Sequence, residues 1–290
     1  MTTPPPRDEA WLRPTRSVAA AGRKAMQALL WRDLCVLGKS WVEFLARTLF
    51  QPVLLVFVFL YVFPVIGEGI GQGTGLRGED LFATTLVPGL VAMSIAYQGF
   101  QSITFRMSME FGHTREIEDR VQAPCPLWMV PVARMLSSAA QGALSACIVL
   151  PATLLVHAPG VEVRVAEHWW IICTVIPLSA VTMASLGLLV GASVQPRSMG
   201  VVVGFLYLPM VFLGGVYYRW TSLSAIRVGD FPWLQALTLI NPLTYVAEGM
   251  RAAYTDTAHM PLYVVYPGLV LFAAVLLGLG IHSFRQRVLS

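Results

Sequence analysis

Six long apolar runs constrain this chain more than any other feature: Phe44 to Ile66, Leu81 to Phe105, Val130 to His157, Trp169 to Val194, Met199 to Tyr218 and Leu262 to Phe284. A helix needs about 20 apolar residues to cross a bilayer, and each run has that length. The alternative is a soluble all-α protein with six buried helices. It sits badly with 12% charged residues in a chain of 290, when soluble domains carry about a quarter. Pro and Gly inside the runs are tolerated where neighbouring helices satisfy the freed backbone groups. The expected fold class is all-α and integral to the membrane, with six transmembrane helices.

Basic residues set the orientation. Arg7, Arg13, Arg16, Arg23, Lys24, Arg32, Lys39 and Arg47 lie before or at the start of the first run. Arg106, Arg115, Arg120 and Arg134 surround the loop between the second and third, Arg197 lies between the fourth and fifth, and Arg285 and Arg287 follow the sixth. The other side holds Arg77, Arg164, Arg219, Arg227 and Arg251, so 15 of the 20 basic residues fall on one side. Both termini are expected in the cytoplasm. The basic balance then reflects contact with anionic lipid, and no nucleic-acid partner is expected. No short apolar segment with a small-residue cleavage site precedes the first run, so no secretory signal is expected. The four cysteines, Cys35, Cys125, Cys147 and Cys173, are scattered and suggest neither a metal site nor a disulfide framework.

The chain divides into a Pro- and Arg-rich tail at 1–18, expected to be disordered, a helix at 19–41, and a membrane domain at 42–290. In the helix, Met26, Leu30, Leu34, Leu37 and Trp41 recur at helical spacing, which suits an amphipathic helix on the inner membrane surface. Asp33 falls on its apolar side and spoils the stripe. A soluble helix packed on a partner would show the same pattern. Gly38-Lys39-Ser40 imitates the end of a phosphate-binding loop, but Asp33 stands where that loop needs its first glycine, and no strand precedes it. Lys39, Glu43 and Arg47, four apart, are expected instead to line one helix face as the chain enters the bilayer.

Between the second and third runs, Thr114 can cap a short helix with Glu116 in its first turn, ending near Gln122 before Pro124 and Pro126. Four acids and four bases in and around this loop fit either a solvated connector or a surface that docks in a polar groove. After the fifth run, the stretches Trp233 to Ile240 and Val246 to Tyr254 are too short to span and look re-entrant or interfacial. Asn241-Pro242 reads as a turn, and Thr244 as the cap of the helix that follows. Glu248 and Arg251 can pair; at an interface the pair has a structural role, in mid-membrane a functional one.

The stretch Asn241 to Tyr254, NPLTYVAEGMRAAY, resembles the signature of ABC-2 type export permeases: an Asn241-Pro242-Leu243-Thr244 turn, then a helix with a fixed Arg, here Arg251. Pro209 to Tyr218, PMVFLGGVYY, resembles the end of their fifth span, and Arg115, Glu118 and Pro124 match their R-x-x-E-x-x-x-x-x-P spacing. The likeness runs in order from about Arg23 to Arg287 and is nearest to drug-efflux and nodulation-type lipo-oligosaccharide exporters. It departs at Gly214, where many relatives have Ser, and at Arg219, where many have Pro.

The resemblance implies a permease dimer, of two identical copies or with a related permease, and two copies of a separate cytoplasmic ATPase. ATP and Mg would belong to that ATPase, and this chain would carry no cofactor and no catalytic or metal-ligating residue. The N-terminal interface helix and a coupling helix bearing Thr114, Arg115, Glu116, Glu118 and Arg120 would dock the ATPase. Gly200 and Gly204 are spaced for close helix packing, either at the dimer interface or within one subunit; for Gly187 and Gly191 packing within one subunit is the simpler expectation. The cargo expected for an apolar path with few charges is a hydrophobic or amphipathic molecule, drug-like or lipid-linked, moved outward across a prokaryotic inner membrane. A polysaccharide or glycolipid exporter shares the architecture. An ion-coupled transporter would carry ionisable groups at mid-membrane, and the charges here cluster toward the span ends. An enzyme would need a nucleophile and base or a metal motif, and the five histidines are dispersed with no HExxH and no GxSxG elbow.

Overall fold

A computed structural model of the protein describes residues 18–58, 62, 78–114, 126–155, 168–256 and 258–289. Nine α-helices are described: α1 Val18–Lys39, α2 Trp41–Phe57, α3 Gly78–Met109, α4 Met129–Leu155, α5 Trp169–Ser193, α6 Met199–Leu213, α7 Trp233–Thr238, α8 Pro242–Tyr254 and α9 Leu262–Leu289. Among the described residues the β pairing is confined to one antiparallel bridge between Val228 and Phe231. The all-helical expectation holds for them.

Among the described residues four segments are long and apolar enough to cross a membrane: α4, α5, α6 with the turn before it, and α9. A fifth is reached if α1 and α2 count as one broken span, with an angle of 74° between Met26–Lys39 and Trp41–Phe57. Six were expected. The first run leaves the described residues soon after α2. The second is α3, whose 32 residues extend about 48 Å at 1.5 Å per residue. Ser94, Gln98, Gln101, Ser102 and Thr104 make it less apolar than α4, α5 and α9, and most of its residues from Thr85 to Ser108 are buried by neighbouring helices.

Helices α3 and α5 form the centre. Leu86, Leu90, Ile95, Phe100, Ile103 and Met107 of α3 are fully buried, and the helix packs on α4, α5 and α8, while α5 also packs on α9. Gly187 and Gly191 let α3 and α5 approach closely: a Cβ on Gly187 would lie 2.4 Å from the Phe100 carbonyl oxygen. The Thr104 hydroxyl also donates to the Gly187 carbonyl at 3.1 Å. This pair of glycines packs within the subunit, as expected for the fourth span. The C-terminal end of α5 is closed by Arg287 of α9, which donates to the Val194 carbonyl at 2.8 Å and lies over the Phe111 ring at 4.2 Å. A cation placed there suits both the free carbonyls and the helix dipole.

The bend between α1 and α2 corrects one expectation. Ser40 leaves helical geometry with ψ near 27°, and its hydroxyl donates to the Val36 carbonyl at 3.1 Å. Lys39 therefore ends one helix while Glu43 and Arg47 pair on the next, so the three do not share a face. Gly38-Lys39-Ser40 is a helix end and its turn.

Candidate functional site

Two clusters of buried charge stand out among the described residues. The first joins α1 to the end of α3 and the start of α4. Arg134, in the second turn of α4, donates from Nη1 to both carboxylate oxygens of Asp33 on α1 at 2.8 Å. Its Nη2 donates to Glu110, the first residue of a π-helical turn, Glu110–Thr114, that continues α3. Arg106 stands 3.9 Å from Asp33. Asp33 and Arg134 are 4% and 6% exposed. At that burial a charge is tolerated only if it is paired and hydrogen-bonded, and the forked guanidinium serves two carboxylates at once. The flaw in the stripe of α1 is thus its anchor: Asp33 is buried, while Trp31, Leu34 and Val36 are exposed. The sequence reading placed none of Asp33, Glu110 and Arg134 together. The available signal was an acid on an apolar helix face with a lone Arg at the start of an apolar run.

The second cluster lies on α8. Glu248 and Arg251 are both fully buried and pair with each other. Glu248 also accepts from the backbone N–H of Trp220 at 2.8 Å and of Met260 at 2.7 Å. Arg251 donates from Nη2 to the carbonyls of Gly215 at 2.8 Å and Tyr218 at 3.3 Å. The pair therefore ties α8 to the turn after α6, to the 3-10 turn Trp220–Ala225, and to the segment leading into α9. Gly215 makes that turn at φ +68°, a region costly for residues with a Cβ.

Asn241 is the N-cap of α8: its Oδ1 accepts from the Leu243 N–H at 3.0 Å, and its Nδ2 donates to the Met210 carbonyl at 2.7 Å. Pro242 follows at the first helical position, where its missing N–H costs nothing. Thr244 is not the cap that the sequence suggested; its hydroxyl turns back to the Thr238 carbonyl at 2.8 Å. Leu243 is fully buried and would meet any side chain at Gly214 within 2.8 Å. The Asn241-Pro242-Leu243-Thr244 turn and Arg251 therefore act together, locking a short buried helix against the ends of α6 and α9.

Of the expected docking residues, Thr114 ends the π-helical turn, and Arg115, Glu116, Glu118 and Arg120 lie outside the described residues. Gly200 and Gly204 lie on α6, and a Cβ added at either would meet nothing within 4 Å. Beside them Val201 and Phe205 are 77% and 82% exposed.

Residues 24–255 match the family described as ABC-2 type transporter. The chain belongs to that family. The match begins in α1 and runs just past the end of α8, so it contains both charge clusters and the capped turn. The chain is 26% identical over 253 residues to the "Inner membrane transport permease YadH" of Escherichia coli K12, covering 86% of this chain and 90% of that protein. Identity and coverage are the same for the permeases of that name in Escherichia coli O157:H7 and Shigella flexneri. The resemblance seen from Arg23 onward is thus a family relationship.

Proposed function

We propose that the chain is the membrane permease subunit of an ATP-driven exporter in a prokaryotic inner membrane. It moves a hydrophobic or amphipathic molecule, drug-like or lipid-linked, out of the cytoplasm or the inner leaflet. The observation that carries this reading is the family match over residues 24–255 in a chain whose long apolar helices surround a buried α3 and α5. The relatives' name, an inner membrane transport permease, supports the location. In this reading α2, α3, α4, α5, α6 and α9 are the six spans and both termini are cytoplasmic. The asymmetry of the basic residues supports that orientation.

Two permease copies enclose the path. The open face of α6 at Gly200 and Gly204, flanked by exposed Val201 and Phe205, supports that helix as the contact between them. ATP and Mg are handled by two copies of a separate ATPase, which docks on α1 and on the segment carrying Thr114, Arg115, Glu116, Glu118 and Arg120. ATP binding drives the cycle only through its different affinity for the inward- and outward-open states. The Asp33–Arg134–Glu110 cluster supports this coupling role, because it fixes α1 to the two helices that bracket the docking segment.

Inverted vesicles containing the permease and a co-expressed ABC ATPase test the proposal. Uptake of a lipophilic fluorescent cation or a labelled lipid is expected only with hydrolysable ATP. Uptake at full rate without the ATPase would overturn it. Glu118→Lys is expected to reduce co-purification of the ATPase while the permease still inserts in the membrane.

A further inference from the structure

A groove of about 470 Å³ lies between the α1–α2 elbow and the inner half of α3, with Gln141 of α4 at its wall. Its polarity is unusual for a helix bundle in lipid. Gln98 and Gln141 are each 4% exposed. Gln98 donates from Nε2 to the Thr48 hydroxyl at 2.6 Å. Gln141 Nε2 and the Ser102 hydroxyl are buried and have no hydrogen-bond partner among the described residues, and both residues line the groove. A buried donor without an acceptor is destabilising by the full loss of its hydration. In a membrane protein such polar groups mark binding sites and pathways. Arg47 at the groove is paired with Glu43, which also lines it, and Arg106 faces Asp33; Phe105 and Met109, both exposed, continue the groove as an apolar surface.

We propose that this groove binds an amphiphile by its oxygen-rich, hydrogen-bond-accepting head. The amide of Gln141 and the hydroxyl of Ser102 supply the donors, and the apolar part lies along Phe105 and Met109. The proposal rests on the permease reading and names the chemistry of its cargo. The site lies within one subunit, so occupying it requires neither a second copy nor the ATPase. Phosphate and sugar heads both present the acceptors required.

The test uses the purified full-length chain in amphipol, which brings no phosphate or sugar head, with three photoreactive probes, each carrying a diazirine. They are a phosphatidylglycerol labelled in its head, a glucosyl-diacylglycerol labelled in its head, and a headless alkane. One or both head-bearing probes are expected to label peptides containing residues 98–109 and 141 well above the alkane. Labelling by one alone assigns a phosphate or a sugar head. Gln141→Met and Ser102→Ala each remove one donor with little change of volume, and each is expected to cut this labelling about five- to tenfold. Thermal unfolding identifies a variant that has failed to fold, and the other variant then decides. Labelling no stronger than the alkane's, or labelling unchanged in a folded variant, overturns the proposal. No ATPase is present, so this failure is separate from a failure of ATP-driven transport.

Discussion

Arg134 and Asp33 are 101 positions apart in the chain, yet one guanidinium nitrogen of Arg134 lies 2.8 Å from both carboxylate oxygens of Asp33. The same side chain reaches Glu110, so one cation holds α1, α3 and α4 together at one end of the bundle. Arg134→Met leaves two buried acids without their shared partner. It is expected to destabilise the protein by about 3–5 kcal/mol, seen as a large fall in thermal midpoint in detergent. Asp33→Asn is expected to cost less, because Arg134 keeps Glu110. Equal effects from the two variants would contradict the shared-cation arrangement.

The Glu248–Arg251 pair predicts that charge and shape are both required on α8. Arg251→Lys keeps the charge but loses the fork that reaches the carbonyls of Gly215 and Tyr218. A loss of about 2–3 kcal/mol is expected. Glu248→Gln keeps the shape but leaves Arg251 without its counter-charge, and about 3–5 kcal/mol is expected. Thermal unfolding followed by tryptophan fluorescence reads both. An Arg251→Lys variant as stable as the parent would show that the carbonyl contacts contribute little.

Asn241 uses both ends of its amide, and substitutions separate them. Asn241→Asp retains the capping oxygen for the Leu243 N–H and sets a carboxylate against the Met210 carbonyl. Asn241→Ala loses both contacts. If capping dominated, Asp would rescue most of the roughly 1 kcal/mol expected from the cap. The contact with Met210, 31 residues away, predicts that Asp does not rescue stability, as measured by denaturation midpoint.

Two glycine positions predict opposite outcomes for one substitution. Gly187→Leu must displace α3, since even a Cβ falls 2.4 Å from the Phe100 carbonyl oxygen, and the subunit itself is expected to unfold at lower temperature. Gly204→Leu meets nothing within 4 Å in the subunit. Its expected effect is on the proposed permease dimer, read as a shift toward monomer by native mass spectrometry with an unchanged subunit midpoint. Loss of subunit stability in Gly204→Leu would contradict the assignment of that face.

The long apolar runs located α4, α5 and α9 closely, because length and continuous apolarity are properties of the segment itself. The stretch singled out for its likeness to the family holds the Asn241 cap and the buried Glu248–Arg251 pair. The contacts were less legible. Thr244 looked like a cap by residue type, but Asn241 already occupied that position, and the Thr244 hydroxyl found the Thr238 carbonyl instead. The continuous charged face from Lys39 to Arg47 assumed an unbroken helix, and a single residue, Ser40, redirects the chain. Asp33 was visible as an exception to the stripe, but its partner could not be read from spacing across 101 positions.

The turn at Ser40 gives the cluster behind it a mechanical meaning. On the α1 side of that turn Asp33 is clamped by Arg134 to the ends of α3 and α4, while α2 departs at 74° with one residue between the two helices. A force on any one of these three helix ends is thus shared by all three rods, and Ser40 is the joint at which α2 takes its own direction.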